Sequence, residues 1–580
     1  MTFQADLSAA QAHLQQGRFK PALKAAKSAL RKQPKSAPAA NIAGIALGRL
    51  GDHREAAAML RKAIKLDPGF ADARRNLAQT LIFLGQHEAA RALVQRLADM
   101  SAGDAGAWYL LAQAELALGH AVAAENAATR CIAAGPRQPR ALNLRALIRE
   151  RMGRLPEAIA DYEAALAIKP DDVETLVNMA LPLARQMRED DALAALRRAV
   201  KLAPGHAGAR LRLAMHLAQT GERAAAIAGL REVLEIVPEH AEAIEQLAAL
   251  QDGAGNRALE PQARAALKSA PRKSEARASL HFALSRIADQ AGDGQAAATH
   301  LAEANREMAA RLPYDGDADA ALHADLLARF PGPVSGAQTD ELPKPVYVLG
   351  LPRSGTTLTE AMLGAHPRVA ALGERAVSGM LLNAVITENL PFDAPAIERF
   401  IAADRRMRPD LAPDTTIWVD KMPENYRLIG FLLTAYPNAR IVNLIRDPRD
   451  VALSMWRAHF SGTALNYTYD LRAMAHRFNL YARAMAHWRR VFPGAILDLA
   501  YEDLVQDVDT ASRRLAAFCG LDRHPAMLRP DLAAGQILTH SAGQLRQPVH
   551  ARSIGGWRRH ADELAPFIAG LDPALWPQVR

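Results

Sequence analysis

Residues 345–357, P-V-Y-V-L-G-L-P-R-S-G-T-T, read as a short strand, a tight turn and the first turn of a helix. Val346-Tyr347-Val348-Leu349 is continuously apolar, as a parallel strand covered on both faces requires. Gly350, Pro352 and Gly355 force a turn, and Ser354, Thr356 and Thr357 bring hydroxyls to the point where the helix begins. The unpaired N–H groups of a helix start form an anion cradle, and the helix dipole adds to it. Arg353 sets a fixed positive charge inside that loop.

The spacing from Gly350 to Gly355, G-x-x-x-x-G, is that of a P-loop, yet Thr356 stands where the lysine should follow. The expected ligand is a phosphate-like group held without the γ-phosphate lysine of an ATPase or kinase.

A chain of 580 residues, half of them hydrophobic, is globular and long enough for two or more domains. Its two cysteines, Cys131 and Cys519, exclude a disulfide framework and fit a reducing compartment. The start, M-T-F-Q-A-D-L-S-A-A-Q, lacks a basic stretch followed by an apolar core, and no apolar run approaches about 18 residues. A cytoplasmic protein without a membrane partner is expected. The net charge of +9 suits an acidic partner, or equally an arginine-rich solvated surface. Aromatic residues are scarce and never interleave with basic ones, so no nucleic-acid partner is expected.

The first 270 residues repeat every 34, the interval from Gly17 to Gly51. A turn glycine recurs at Gly17, Gly51, Gly85, Gly119 and Gly153, gives way to Met187, and returns at Gly221 and Gly255. Five residues on lies Ala22, Ala56, Ala90, Ala124, Ala158, Ala192 or Ala226, and closing prolines fall at Pro34, Pro68, Pro136, Pro170, Pro204 and Pro238. Period, turn glycine, small packing residue and helix-ending proline together resemble tetratricopeptide repeats. Each unit is then a helical hairpin that cannot bury its own apolar face, so neighbours must stack. Seven clear repeats and a degenerate eighth occupy 1–274. Cys131 fills a slot taken elsewhere by Ala29, Ala63, Ala165 and Ala199, which marks it as a packing residue.

Residues 275–330 continue as a helical connector with a hairpin turn at Ala291–Gly294, and the turn-rich stretch from Phe330 to Pro345 marks a boundary. Short apolar strands then alternate with amphipathic helices over 343–580: Ile417–Val419, Arg440–Ile445 and Ala495–Tyr501 are the other predicted strands. That alternation predicts an α/β domain with a central parallel sheet, its ligand beyond the carboxyl ends of the strands. Three further segments carry polar residues. Arg446 leaves one strand end, and Ser454, two helical turns on, can return to the same phosphate. Lys421 leaves another, in D-K-M-P, and the fourth segment runs from Ser541 to His560, with Trp557-Arg558-Arg559 near its end.

The P-R-S-G-T-T loop, the R-D-P-R-D-x-x-x-S segment and the C-terminal W-R-R stretch together resemble a sulfotransferase over about 343–560. L-x-A-H-P at 363–367, Gly373-Glu374 and Lys421-Met422-Pro423 are similar to the tyrosylprotein branch. The whole chain resembles bacterial proteins that join tetratricopeptide repeats to a P-loop-like sulfotransferase domain. The resemblance implies 3′-phosphoadenosine 5′-phosphosulfate as co-substrate, with no metal needed. It implies that Arg353, Ser354, Gly355, Thr356 and Thr357 cradle the 5′-phosphosulfate. Arg446 and Ser454 would then fix the 3′-phosphate, with Tyr501 a further nucleotide contact. Glu374 is the implied base toward the acceptor hydroxyl, while Lys421, Arg353 and Ser541 stabilise charge on the sulfonate and the bridging oxygen. The implied acceptor is a protein or peptide tyrosine, brought in by the repeats.

Two positions depart from the pattern. Gly556 precedes Trp557 where a basic residue is usual, with Arg552, Arg558 and Arg559 nearby, and one glutamate stands at 374 where the tyrosylprotein branch has two. His459 and His540 are rival bases, whereas His366 before Pro367 reads as structural. A carbohydrate or small-molecule acceptor, a magnesium-dependent phosphotransferase and a non-catalytic repeat scaffold are the alternative functions.

Overall fold

The turn glycines show why the helices pair. Gly17, Gly51, Gly85, Gly119, Gly153 and Gly221 all lie at φ between 70° and 97°, a left-handed backbone that glycine adopts without steric cost. The computed structural model describes residues 2–332, 343–375, 377–460, 462–532 and 549–579. The chain divides into two compact units, 1–182 and 183–580.

The first unit consists of helices of thirteen and fourteen residues in hairpins, such as Ala37–Arg49 with His53–Leu66 and Ala105–Ala117 with Ala121–Ala134. Ala22, Ala56, Ala90, Ala124 and Ala158 are wholly buried, as small residues at a close helix crossing must be. Cys131 is a packing residue: it is wholly buried and its thiol donates to the carbonyl of Ala105. Burial raises its pKa.

The hairpin pattern continues at the start of the second unit. Met187 takes the glycine's place with φ 60°. The expected turn at Gly255 is displaced: Gly255 lies inside the helix Gly253–Ser269, and the chain turns at Gln251-Asp252 instead. The cause is a cap, because the Asp252 carboxylate accepts from the Gly255 amide at 3.0 Å. Helices Glu275–Ala291, Gly294–Arg311 and Gly316–Ala328 follow, the first closed by Gly292 at φ 80°.

The sheet has five parallel strands, β1 (Lys344–Gly350), β2 (Val369–Ala371), β3 (Ile417–Asp420), β4 (Arg440–Ile445) and β5 (Ile496–Ala500). They lie in the order β2-β3-β1-β4-β5. The sheet grows to one side of β1 and then to the other, so the loops after β1 and β4 open onto a topological switch point. Side chains alternate between two cores. Val346, Val348, Val442, Leu444 and Leu499 pack with Met362, Leu363 and Leu515. Tyr347, Leu349, Trp418 and Ile441 pack with Phe431, Phe478 and Trp488 on the other face. The helical segment ahead of the sheet is tied to it, with Asn305 donating to the carbonyl of Trp456 at 3.0 Å.

Candidate active site

The loop after β1 is held open by its glycines. Gly350 sits at φ 144°, and a Cβ there would lie 2.6 Å from the Leu444 carbonyl oxygen; at Gly355, φ 110°, it would lie 2.5 Å from the Tyr501 ring. Arg353 is left-handed at φ 70° without being glycine, a conformation costing about 1–2 kcal/mol. Ser354, Thr356 and Thr357 are all buried, at the amino end of the helix Thr356–Gly364. The Ser354 hydroxyl has no hydrogen-bond partner among the described residues.

Arg353, Ser454, Arg446 and Tyr501 converge beside it. Arg353 Nε donates to Ser454 Oγ at 3.0 Å, and Arg446 Nη1 donates to the Arg353 carbonyl at 3.1 Å. The Arg446 guanidinium lies over the Tyr501 ring at 4.4 Å, and its Nε has no partner among the described residues. Burial, and after it the charge of Arg446, pushes Arg353 down to about 10. A half-buried pair of like charges beside the unmet donors Ser354 Oγ and Arg446 Nε suits an anion.

Ser553 was not legible in the sequence. Its carbonyl accepts from Arg446 Nη2 at 2.8 Å and its hydroxyl meets the Tyr501 hydroxyl at 2.9 Å. Asp450 fastens the same segment, accepting from the amides of Gly555 at 2.7 Å and Trp557 at 2.9 Å. Arg449 stacks on Trp557 at 3.8 Å. Arg558 also lies near that ring, at 5.5 Å. A Cβ on Gly556 would meet only Asp450 Oδ1, at 3.7 Å, so the missing side chain is not excluded by space. Asp450 stands one turn from Ser454 in a recognisable segment, and only its fold-long-range partners were hidden.

Lys421 and Glu374 meet at the end of β3. Lys421 is wholly buried, and its Nζ donates to Glu374 Oε1 at 2.5 Å, while Glu374 is exposed. The Lys421 amide donates to the Gly373 carbonyl at 3.0 Å, and the Gly373 amide donates to Glu360 Oε1 at 2.7 Å. Glu360, a residue missed in the sequence, is raised by burial against the pull of Lys421. Asp420 is pushed up to about 7, chiefly by burial, with Arg375 opposing and Asp404 reinforcing it. Arg375 is structural: it pairs with Asp404 at 2.9 Å and lies over Trp418 at 5.2 Å.

The rival histidines have other surroundings. His459 Nδ1 meets Glu245 at 2.9 Å, and its ring stacks on Phe282 at 5.0 Å. His366 is buried, and its Nδ1 accepts from the Arg368 amide at 3.2 Å. Ser541 and His540 lie outside the described residues. Cys519 is buried and pushed up to about 12 by burial, a poor nucleophile. Among the described residues no group of three or more His, Cys, Asp or Glu could hold a metal ion, and no helix is long and apolar enough to cross a membrane.

Residues 345–525 match the family model described as the sulfotransferase family. Tetratricopeptide repeat models match 49–100 and also 76–129, 109–173 and 179–241. An uncharacterized protein of Aquifex aeolicus is 29% identical over 315 residues, covering 51% of this chain and 41% of that protein. The chain thus spans well under half the length of that relative. A putative protein-tyrosine sulfotransferase of Caenorhabditis briggsae is 28% identical over 256 residues, or 39% of this chain and 88% of the relative. Among solved structures, a tetratricopeptide repeat protein from Parabacteroides merdae is 16% identical at a TM-score of 0.36, covering 40% of this chain and 93% of that one.

Proposed function

From a sulfotransferase-family domain joined to tetratricopeptide repeats, we propose that this protein moves the sulfuryl group of 3′-phosphoadenosine 5′-phosphosulfate to the hydroxyl of a protein or peptide tyrosine. The observation that carries the reading is the junction of Arg353, Ser454 and Arg446 at the ends of β1 and β4. The unpartnered donors Ser354 Oγ and Arg446 Nε beside it fit a ligand with two phosphate-like ends. The loop 353–357 takes the 5′-phosphosulfate, Arg446 and Ser454 take the 3′-phosphate, and Tyr501 backs the nucleotide.

Glu374 accepts the acceptor's proton as the acceptor oxygen bonds to sulfur. The sulfur–oxygen bond to the nucleotide breaks at the same time, and its electron pair stays on the departing phosphate. A carboxylate alone cannot deprotonate a phenol of pKa about 10, so proton loss and transfer run together. Lys421, Arg353 and Ser541 stabilise the charge that gathers on the sulfonate and the leaving oxygen. Residues 1–274 recruit the acceptor, 275–330 connect, and 343–580 carry the transfer, in the cytoplasm and without a metal. The tyrosine acceptor is supported by the name of the Caenorhabditis briggsae relative.

Calorimetric titration of the full chain with 3′-phosphoadenosine 5′-phosphate in EDTA tests the reading. Saturable binding that weakens in Arg446→Ala is expected. Absence of binding, or binding that requires magnesium, would overturn it.

A further inference from the structure

The helix Thr356–Gly364 begins at the anion cradle and carries a carboxylate one turn further on. Glu360 follows Thr356 at i+4 and Thr357 at i+3, so it shares their side of the helix. The same helix runs close against β2. A Cβ on Gly364 would lie 2.8 Å from Ala371 Cβ, so the glycine lets the two backbones approach. Two residues beyond Ala371 the chain turns at Gly373, with φ 70°. There the Gly373 amide donates to Glu360 Oε1 at 2.7 Å.

Both backbone polar groups of Gly373 are thereby engaged. Its carbonyl accepts from the Lys421 amide at 3.0 Å, one step beyond the bond from the Leu372 amide to the Val419 carbonyl at 3.0 Å. The next residue is Glu374, and Lys421 Nζ donates to its Oε1 at 2.5 Å. Lys421 therefore fixes the end of the Glu374 side chain, while Glu360 and the Lys421 amide fix the backbone from which it starts. A glycine with a left-handed φ is the residue with the most backbone freedom, so an unheld Gly373 would let its neighbour swing. Lys421 and Glu374 are also the side-chain charges that Glu360 feels, the first opposing its burial and the second adding to it. A half-buried carboxylate is a costly way to satisfy one amide, and its charge shortens and strengthens the bond it accepts.

We propose that Glu360 is a positioning residue for the transfer, holding the Gly373 amide so that Glu374 stands at Lys421. It does so from the helix whose first turn cradles the sulfuryl donor, which ties the place of the base to the place of the donor loop. The inference rests on the transferase reading above, with Glu374 as base, and adds a residue that acts through another. Without the bond the backbone at Gly373 is released and Glu374 drifts from the acceptor hydroxyl. A reacting group misplaced by about 1 Å loses up to about 100-fold in rate. The nucleotide, held by the loop 353–357 with Arg446 and Ser454, keeps its affinity.

The test measures, in the full chain, the rate of labelled-sulfate transfer to pooled tyrosine peptides and glycans at saturating donor, and product-nucleotide Kd by calorimetry. Glu360→Ala is expected to slow transfer about tenfold and to leave Kd within about twofold. Glu360→Gln, whose side-chain carbonyl still accepts from the Gly373 amide, recovers most of that rate. Placed in a Glu374→Gln background, Glu360→Ala slows transfer by less than about twofold more, because its effect runs through Glu374. An unchanged rate in Glu360→Ala overturns the inference, as does a Kd that weakens as much as the rate falls. A Glu360→Gln chain as slow as Glu360→Ala, or the full tenfold loss in the Glu374→Gln background, overturns it as well. A wild-type chain that transfers no sulfate, or a Glu374→Gln chain as fast as wild type, instead removes the reading beneath it, and this inference with it.

Discussion

Lys421, with 0% of its surface exposed, places its Nζ 2.5 Å from Oε1 of Glu374, whose side chain keeps 39% of its surface exposed. A buried ammonium is costly unless paired, so the lysine fixes where this surface carboxylate stands. Beneath it, Gly373 links the two strand-end segments through Lys421 and Glu360. Glu374→Gln keeps the shape and removes the base. Turnover is expected to fall about 100-fold or more while product-nucleotide Kd stays within about twofold. Steady-state transfer rates set beside calorimetry check this, and unchanged turnover would remove Glu374 as the base.

Arg446 holds both the Arg353 carbonyl and the Ser553 carbonyl. Arg446→Ala is expected to weaken product-nucleotide binding about 10- to 100-fold, since a charged group with several donors is lost. Ser454→Ala, which removes one neutral hydroxyl, is expected to cost less than about tenfold. Titration of both variants gives the order.

Asp420 makes stability depend on pH. Burial first, with Asp404 adding to it and Arg375 opposing, raises the folded carboxyl from 3.8 to about 7. Between those values the folded state holds a proton that the unfolded state has released, so stability falls as pH rises through this window. Above about pH 7 the loss is complete. Asp420→Asn is expected to flatten that fall. Melting curves from about pH 4 to about pH 8 measure it, and identical slopes for both proteins would refute the assignment.

Met187 holds the turn geometry of a glycine, at φ 60°, with 54% of its surface exposed. It gains little packing to offset the left-handed backbone. Met187→Gly is expected to stabilise the second unit by about 1 kcal/mol, and Met187→Ala to give no such gain. Denaturant unfolding of the two variants distinguishes them.

The repeats were legible because their physics is local. A glycine that must turn, an alanine that must let two helices meet and a proline that must end one recur at a fixed interval, and the exception at Gly255 came from a competing cap at Asp252. The parallel sheet was legible for the same reason, since β1 carries the apolar run Val346–Leu349 and β4 carries Ile441, Val442, Leu444 and Ile445. β2 is only Val369–Ala371, too short to show any pattern. The loop after β1 declared itself through its glycines and hydroxyls. What stayed hidden came from distant parts of the chain. Ser553 reaches Tyr501 over 52 residues, and Glu245 reaches His459 over 214. No spacing in a single sequence encodes such pairs. The strained backbone of Arg353 was hidden as well, because an arginine gives no hint of a positive φ.

The central claim is tested most directly by transfer of labelled sulfate from 3′-phosphoadenosine 5′-phosphosulfate, in EDTA, to a tyrosine-peptide pool and a glycan pool. Wild type is run beside Glu374→Ala and Arg353→Ala. The account predicts label on peptide tyrosine that is lost in both variants. Label confined to glycan would contradict the acceptor, and no label in either pool from a chain that binds no nucleotide would contradict sulfuryl transfer itself.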